Sequence, residues 1–151
     1  NTLPRFASRT GLDLHPIDVD DPDQVAWLKA LVWPEHTDRF ALLEAALDVR
    51  RTTDITMIAG DAVETLVALE ESLPPGPLLA WHTVALYQFS DDQRRRLDSA
   101  FAMIAERRAV ARVGLEGIPN LPGHWVRVGV EQEGAPIVAH AQGHGRWVDL
   151  P

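Results

Sequence analysis

One stretch decides the fold class of this chain: Leu78-Leu-Ala-Trp-His-Thr-Val-Ala-Leu-Tyr-Gln-Phe89. The run is almost continuously apolar, a Pro-Gly-Pro sequence precedes it, and a helix start at Ser90 follows it. Such a run is typical of a strand that is buried on both faces. We therefore predict that the residues from Leu78 to about Leu86 form the central parallel strand of an α/β sheet.

Polar side chains lie within and just after this strand. Ligands of parallel sheets bind beyond the carboxyl ends of the strands, so His82, Thr83 and Tyr87 lie where chemistry is expected. Histidine titrates close to neutral pH and suits a general base, although a strand-end histidine that hydrogen-bonds to the backbone explains His82 as well. A further predicted strand, Val110–Glu116, ends in an acid at the same edge.

The amino-terminal half of the chain predicts two helices and a strand-to-helix switch. Asp21-Pro22 begins the first helix with an acidic cap and an early proline, and Pro34 ends it. Thr37 is the expected cap of the second helix. The segment Ile55–Ala62 then changes from a strand to a helix, with Asp61 at the carboxyl end of the strand.

The carboxyl-terminal half continues this alternation and ends differently. Ser90 with Gln93 forms a capping box, which begins a helix. The last segments, Trp125–Gln132 and Pro136–Ala141, alternate around Glu133-Gly134 as a hairpin does. We predict a single α/β domain over residues 1–151, a three-layer, mostly parallel Rossmann-like sheet that ends in an antiparallel hairpin.

Composition excludes several classes of protein. The 151 residues are 46% hydrophobic and 24% charged, as in a globular domain. The net charge of −8 argues against binding of nucleic acid through its phosphates. No apolar run approaches the ~18 residues of a membrane span. The chain has no cysteine, which fits a cytoplasmic protein. No metal site is expected, because His15 between Asp13 and Asp18 lacks a fourth ligand.

The order of these elements resembles the later half of a class I S-adenosylmethionine-dependent methyltransferase. Gly11-Leu-Asp13 is similar to the second strand of that fold, whose terminal acid holds the ribose hydroxyls. Gly60-Asp-Ala62 is similar to the exit of its third strand, whose acid faces the adenine amino group. Trp81-His-Thr-Val-Ala-Leu-Tyr87 resembles its fourth strand, which borders the transferred methyl group.

The chain also resembles a bacterial family of uncharacterised proteins, DUF2332, over nearly its whole length from about Arg9. The matching segments are Asp13–Asp18, Trp27–Glu35, Gly60–Ala62, Trp81–Thr83 and Gly143–Trp147. Members of that family are longer and carry upstream a segment like the glycine-bearing first strand and loop of the methyltransferase fold. Nothing similar precedes Gly11 here. We therefore expect the carboxyl-terminal portion of a longer protein, with an incomplete cofactor site.

The resemblance implies transfer of a methyl group from S-adenosylmethionine to a small-molecule substrate. It implies cofactor binding by Asp13, Asp61 and Ala62 and a catalytic role in the acceptor pocket for His82 and Tyr87. The alternative is a non-catalytic relative that keeps the fold for binding or assembly. A sheet without its first strand exposes an edge, which predicts a homo-oligomer formed through that edge.

Overall fold

The computed structural model of the chain describes residues 5–116, 124–130, 133–141 and 147–149, and the side chains of residues 124–138 lie outside this description. The chain forms two compact units, Asn1–Ala62 and Val63–Pro151. Each unit is described by itself below.

The first unit contains a parallel pair of strands and two helices. Its elements are β1 (Thr10–Asp13), α1 (Pro22–Ala30), α2 (Thr37–Thr52) and β2 (Thr56–Ala59). β1 and β2 pair in parallel, with Asp13 opposite Ala59. The strands are short, and among the described residues of this unit the buried large apolar side chains are Val25 and Leu47.

The predicted helix starts of this unit are confirmed in one case and wrong in the other. The Asp21 carboxylate accepts hydrogen bonds from the N–H groups of Asp23 and Gln24, and Pro22 begins α1 as predicted. Thr37 is the first residue of α2 and does not cap it. The cap position belongs to His36, whose side chain makes no capping hydrogen bond. α1 ends at Ala30, before Pro34, so the proline lies in the connection and does not itself end the helix.

The second unit carries a five-stranded sheet. Its elements are α3 (Ala62–Ser72, which begins at the last residue of the first unit), β3 (Leu78–Thr83), a 3-10 helix (Leu86–Gln88), α4 (Asp91–Ala105), β4 (Val110–Glu116), β5 (His124–Val130), β6 (Glu133–Ala141) and β7 (Val148–Asp149). The strand order is β3-β4-β5-β6-β7. β3 and β4 are parallel, whereas the three later pairings are antiparallel.

Local signals predicted several of these elements well. Ser90 and Gln93 form the predicted capping box at the start of α4. The strand Val110–Glu116 has the predicted bounds. The antiparallel hairpin is confirmed as β5 and β6, although Glu133 and Gly134 belong to β6. Residues 131 and 132, which precede them, lie outside the description.

One face of α4 packs onto the sheet and forms the core of the second unit. The buried cluster consists of Val63, Leu97, Phe101, Ile104 and Val110, with Leu78, Ala80, Leu86 and Phe89 packed against it. Ile104 and Val110 are fully buried. The core therefore holds both β3 and the turn after β3 against α4.

The prediction that Leu78–Leu86 is a central strand buried on both faces is wrong in its length, its position in the sheet and its burial. β3 ends at Thr83, and within the described ranges it pairs with β4 alone, at the edge of the sheet. Its side chains alternate between half-buried and exposed, and Trp81 is 72% exposed. Val84 has a φ of 49°, in the left-handed region, and this turns the chain away from the sheet.

The mixed α/β class is confirmed, and the first four strands pair in parallel as predicted. The strands that the structure describes form two sheets, of two and five strands, where the sequence predicted one. An apolar run indicates that a segment is a strand, but it does not indicate which other strand that segment pairs with. Pairing depends on contacts between residues that are distant along the chain.

Candidate functional site at the carboxyl end of β3

The carboxyl ends of β3 and β4 bring a histidine between an arginine and a glutamate. The parallel register places His82 opposite Gly114. On β4, Arg112, Gly114 and Glu116 are two residues apart, so they share one face of the strand. The imidazole of His82 lies over Gly114, with Arg112 on one side and Glu116 on the other.

Gly114 makes room for the imidazole. A Cβ atom at this position would lie 2.6 Å from Cε1 of His82, far closer than two carbon atoms approach. The absence of a side chain at residue 114 is therefore a structural requirement for the position of His82.

The hydrogen bonds of His82 define its tautomer. Nδ1 lies 2.8 Å from Oε1 of Glu116, and an ionised carboxylate only accepts, so Nδ1 carries the proton. Nε2 lies 3.3 Å from Nε of Arg112, which only donates, so Nε2 accepts. This tautomer is inferred from the partners, which both fit neutral imidazole protonated on Nδ1.

Glu116 binds the turn that follows β3. Its Oε1 accepts from the backbone N–H of Ala85 at 3.0 Å, and its Oε2 accepts from the N–H of Leu86 at 3.3 Å. Successive N–H groups after a left-handed residue form a concave anion-binding site, and here the left-handed residue is Val84. The carboxylate of Glu116, whose side chain is 10% exposed, occupies that site.

Arg112 is held from two further directions. Its guanidinium forms an ion pair with Asp98 of α4 at 2.5 Å, and it lies over the ring of Phe101, 4.6 Å from the centroid. Asp98, Arg112, His82 and Glu116 therefore form one chain of polar contacts from α4 to the turn. Sequence reasoning missed Arg112 and Asp98, although an arginine inside an apolar strand was a usable signal.

Tyr87 lies on the 3-10 helix just after the turn. Its side chain is 66% exposed, and its hydroxyl oxygen is 3.3 Å from Nε2 of Gln88. The structure thus places His82 in the polar cluster and Tyr87 at the adjoining surface. Both belong to the second unit.

The predicted cofactor residues lie together in the first unit. Asp13 ends β1, and its carboxylate accepts the N–H of His15 at 2.8 Å. The backbone oxygen of Asp13 accepts the N–H of Gly60 at 2.8 Å. Asp61 and Ala62 come directly after Gly60, so the parallel pairing brings all the predicted residues to the carboxyl ends of β1 and β2.

Two further features of the described residues bear on the kind of site. Among them, no group of three or more His, Cys, Asp and Glu side chains is arranged to hold a metal ion. No helix in the part of the chain that is described has the length and apolar character needed to span a membrane.

The fold and the cluster define a mixed α/β protein with polar residues at the carboxyl ends of two parallel strand pairs. The family model described as an uncharacterised protein conserved in bacteria, DUF2332, matches residues 2–150. The chain belongs to this family, as its sequence motifs predicted. No curated protein and no solved structure matches the chain.

Proposed function

We propose that this protein binds S-adenosylmethionine and takes part in methyl transfer to a small-molecule acceptor. The observation that supports the proposal is the parallel pairing of β1 and β2, which brings Asp13 and Asp61 to one edge. In open α/β sheets this edge is where ligands bind. The bound cofactor supplies an electrophilic methyl group on its sulfonium.

The two carboxylates suit the nucleoside half of that cofactor. Ribose hydroxyls and the adenine amino group are hydrogen-bond donors, and ionised carboxylates only accept. Asp13 is exposed and uses one carboxylate oxygen for the N–H of His15, which leaves the other oxygen for a ribose hydroxyl. Asp61 is half-buried at the start of α3, and we assign it to the adenine amino group together with Ala62.

Within the second unit, we assign the wall of an acceptor pocket to His82 and Tyr87. Methyl transfer depends mainly on placing two reactants in line, so few side chains need to take part directly. His82 is a wall residue whose Nε2 accepts from Arg112, and Tyr87 presents an exposed ring and hydroxyl.

Calorimetric titration of the full-length protein with S-adenosylmethionine and S-adenosylhomocysteine tests the proposal. We expect binding of both, and we expect Asp61→Ala to weaken it about tenfold or more, since a hydrogen bond to a charged group contributes ~1.5–3 kcal/mol. Asp54→Ala, an exposed acid of the same unit, is the matched control. Absence of binding at millimolar ligand refutes the proposal, and unchanged affinity in Asp61→Ala refutes that assignment.

A second candidate function is assembly through the edge of β3. The N–H groups of Leu78 and Val84 point to β4, so the backbone groups of Leu79, Trp81 and Thr83 point to the opposite edge. The side chains of Leu79 and Trp81 are exposed beside that edge, and β3 has no charged residue that would discourage pairing. An added strand from a second copy fits this surface.

Sedimentation velocity over a range of concentrations tests the assembly. We expect self-association that Trp81→Lys abolishes, because a charge on an edge strand opposes pairing. Trp27→Lys, at an exposed position of the first unit, is the control and leaves association unchanged. A clean monomer of the unaltered protein at high concentration rules this candidate out.

A further inference from the structure

We propose that Glu116 is a positioning residue: its carboxylate orients His82 and holds the turn that presents Tyr87. The inference rests on the proposed function only in assigning those two side chains to an acceptor pocket. Glu116 itself is largely buried and faces the protein, so it acts through the groups that it binds.

The first support is that one carboxylate binds three groups, one side chain on β3 and two backbone N–H groups of the turn after it. Oε1 accepts from Nδ1 of His82 and from the N–H of Ala85, and Oε2 accepts from the N–H of Leu86. The turn amides precede Tyr87 directly. Loss of the carboxylate therefore affects the histidine and the turn together.

The second support is the strained backbone conformation of the turn that the carboxylate binds. Val84 is a β-branched residue with a φ of 49°, a conformation that such residues rarely adopt. A conformation of this kind persists only when its surroundings stabilise it. Here the anion satisfies the two N–H groups that the left-handed residue turns inward.

The third support is the orientation of the imidazole. The bond from Nδ1 to Glu116 leaves Nε2 as the accepting nitrogen, directed at the Nε–H of Arg112. Arg112 and Glu116 thus engage both ring nitrogens, and together they fix the plane of the imidazole. Glu116 sets this direction, since the other tautomer would place the lone pair of Nδ1 against the carboxylate, an acceptor against an acceptor.

Nuclear magnetic resonance provides a test that requires no cofactor. Tyr87 is the single tyrosine of the chain, so fluorotyrosine labelling gives one fluorine resonance that reports the turn. In ¹⁵N-labelled protein, the ring of His82 is identified as the signal that His82→Gln removes. We expect a proton on Nδ1, none on Nε2, and slow exchange of the Nδ1 proton with water.

Glu116→Ala is expected to abolish the Nδ1 proton signal through fast exchange and to shift the fluorine resonance of Tyr87. Added formate is expected to restore both signals, because a small carboxylate fits the vacated turn. Glu71→Gln, at an exposed acid of the same unit, is the control and changes neither signal. If Glu116→Ala does not fold, Glu116→Gln keeps the shape but places a donor against one N–H, and it must still shift the Tyr87 resonance.

A proton on Nε2 in the unaltered protein overturns the inference. An unshifted Tyr87 resonance in the folded Glu116 variants does the same. These outcomes are separate from the proposed function: failure to bind S-adenosylmethionine with the expected signals present refutes only the function. Binding with Tyr87 unaffected by the Glu116 substitutions refutes only the positioning role.

Discussion

Replacement of Glu70 by alanine should destabilise the second unit strongly. Glu70 lies near the end of α3, and its side chain is only 4% exposed. Its carboxylate pairs with Arg107 at 2.5 Å and with Arg108 at 2.7 Å, both just after α4. This one acid therefore links the end of α3 to the segment that follows α4.

The magnitude follows from what the substitution leaves behind. Removal of one partner of a buried ion pair costs about 3–5 kcal/mol, since the remaining charge stays away from water. Arg107 is 43% exposed and can return to solvent, whereas Arg108 is 15% exposed and retains a hydrogen bond to the carbonyl of Pro74. The guanidinium of Arg108 therefore stays buried with one partner left, so we expect a loss of stability at the lower end of this range, about 3 kcal/mol.

Urea and thermal unfolding, followed by circular dichroism, measure this loss. For a chain of this size, about 3 kcal/mol corresponds to a fall in Tm of roughly 6–12 °C. Glu71→Ala is the matched control: Glu71 is 68% exposed and 3.9 Å from Arg107, so its loss costs about 0–1 kcal/mol. Equal stabilities of the two variants would show that burial of Glu70 does not govern its contribution.

Two further predictions concern Gly114 and Asp21. Gly114→Ala places a Cβ against His82 and should lower the free energy of unfolding by about 1–3 kcal/mol. Chemical denaturation measures this loss in the single variant and in the double variant that also carries His82→Ala. The loss should disappear in the double variant, because the imidazole ring is absent there. The side-chain hydrogen bond from Gln24, aided by the backbone N–H groups of Gln24 and Asp23, holds the pKa of Asp21 below its ordinary value of 3.8. Asp21 therefore contributes stability above its unfolded pKa, and this contribution is lost as pH falls through the lower native pKa. Carbon-13 titration of the Asp21 carboxyl should show the lowered midpoint, and a midpoint that Gln24→Ala does not raise would contradict the assigned cause.

The sequence by itself determined the elements whose causes are local. The capping box of Ser90 and Gln93 begins α4 as predicted, because a side chain satisfies backbone N–H groups only three residues away. Asp21 and Pro22 likewise begin α1. The strand Val110–Glu116 was also predicted with its observed bounds, and the motifs along the chain identified its family.

The tertiary structure alone decided what surrounds the central apolar run. Neither the edge position of β3 nor its end at Thr83 follows from Leu78–Phe89, because both depend on β4 and on Glu116, more than thirty residues further along the chain. The same holds for His82. The sequence showed a histidine near the end of a strand. Its partners Arg112 and Glu116 are set by the register in which β3 pairs with β4. Hydrogen bonds to distant residues leave no local pattern in a sequence, so only the folded chain shows that this histidine has both of its nitrogens engaged.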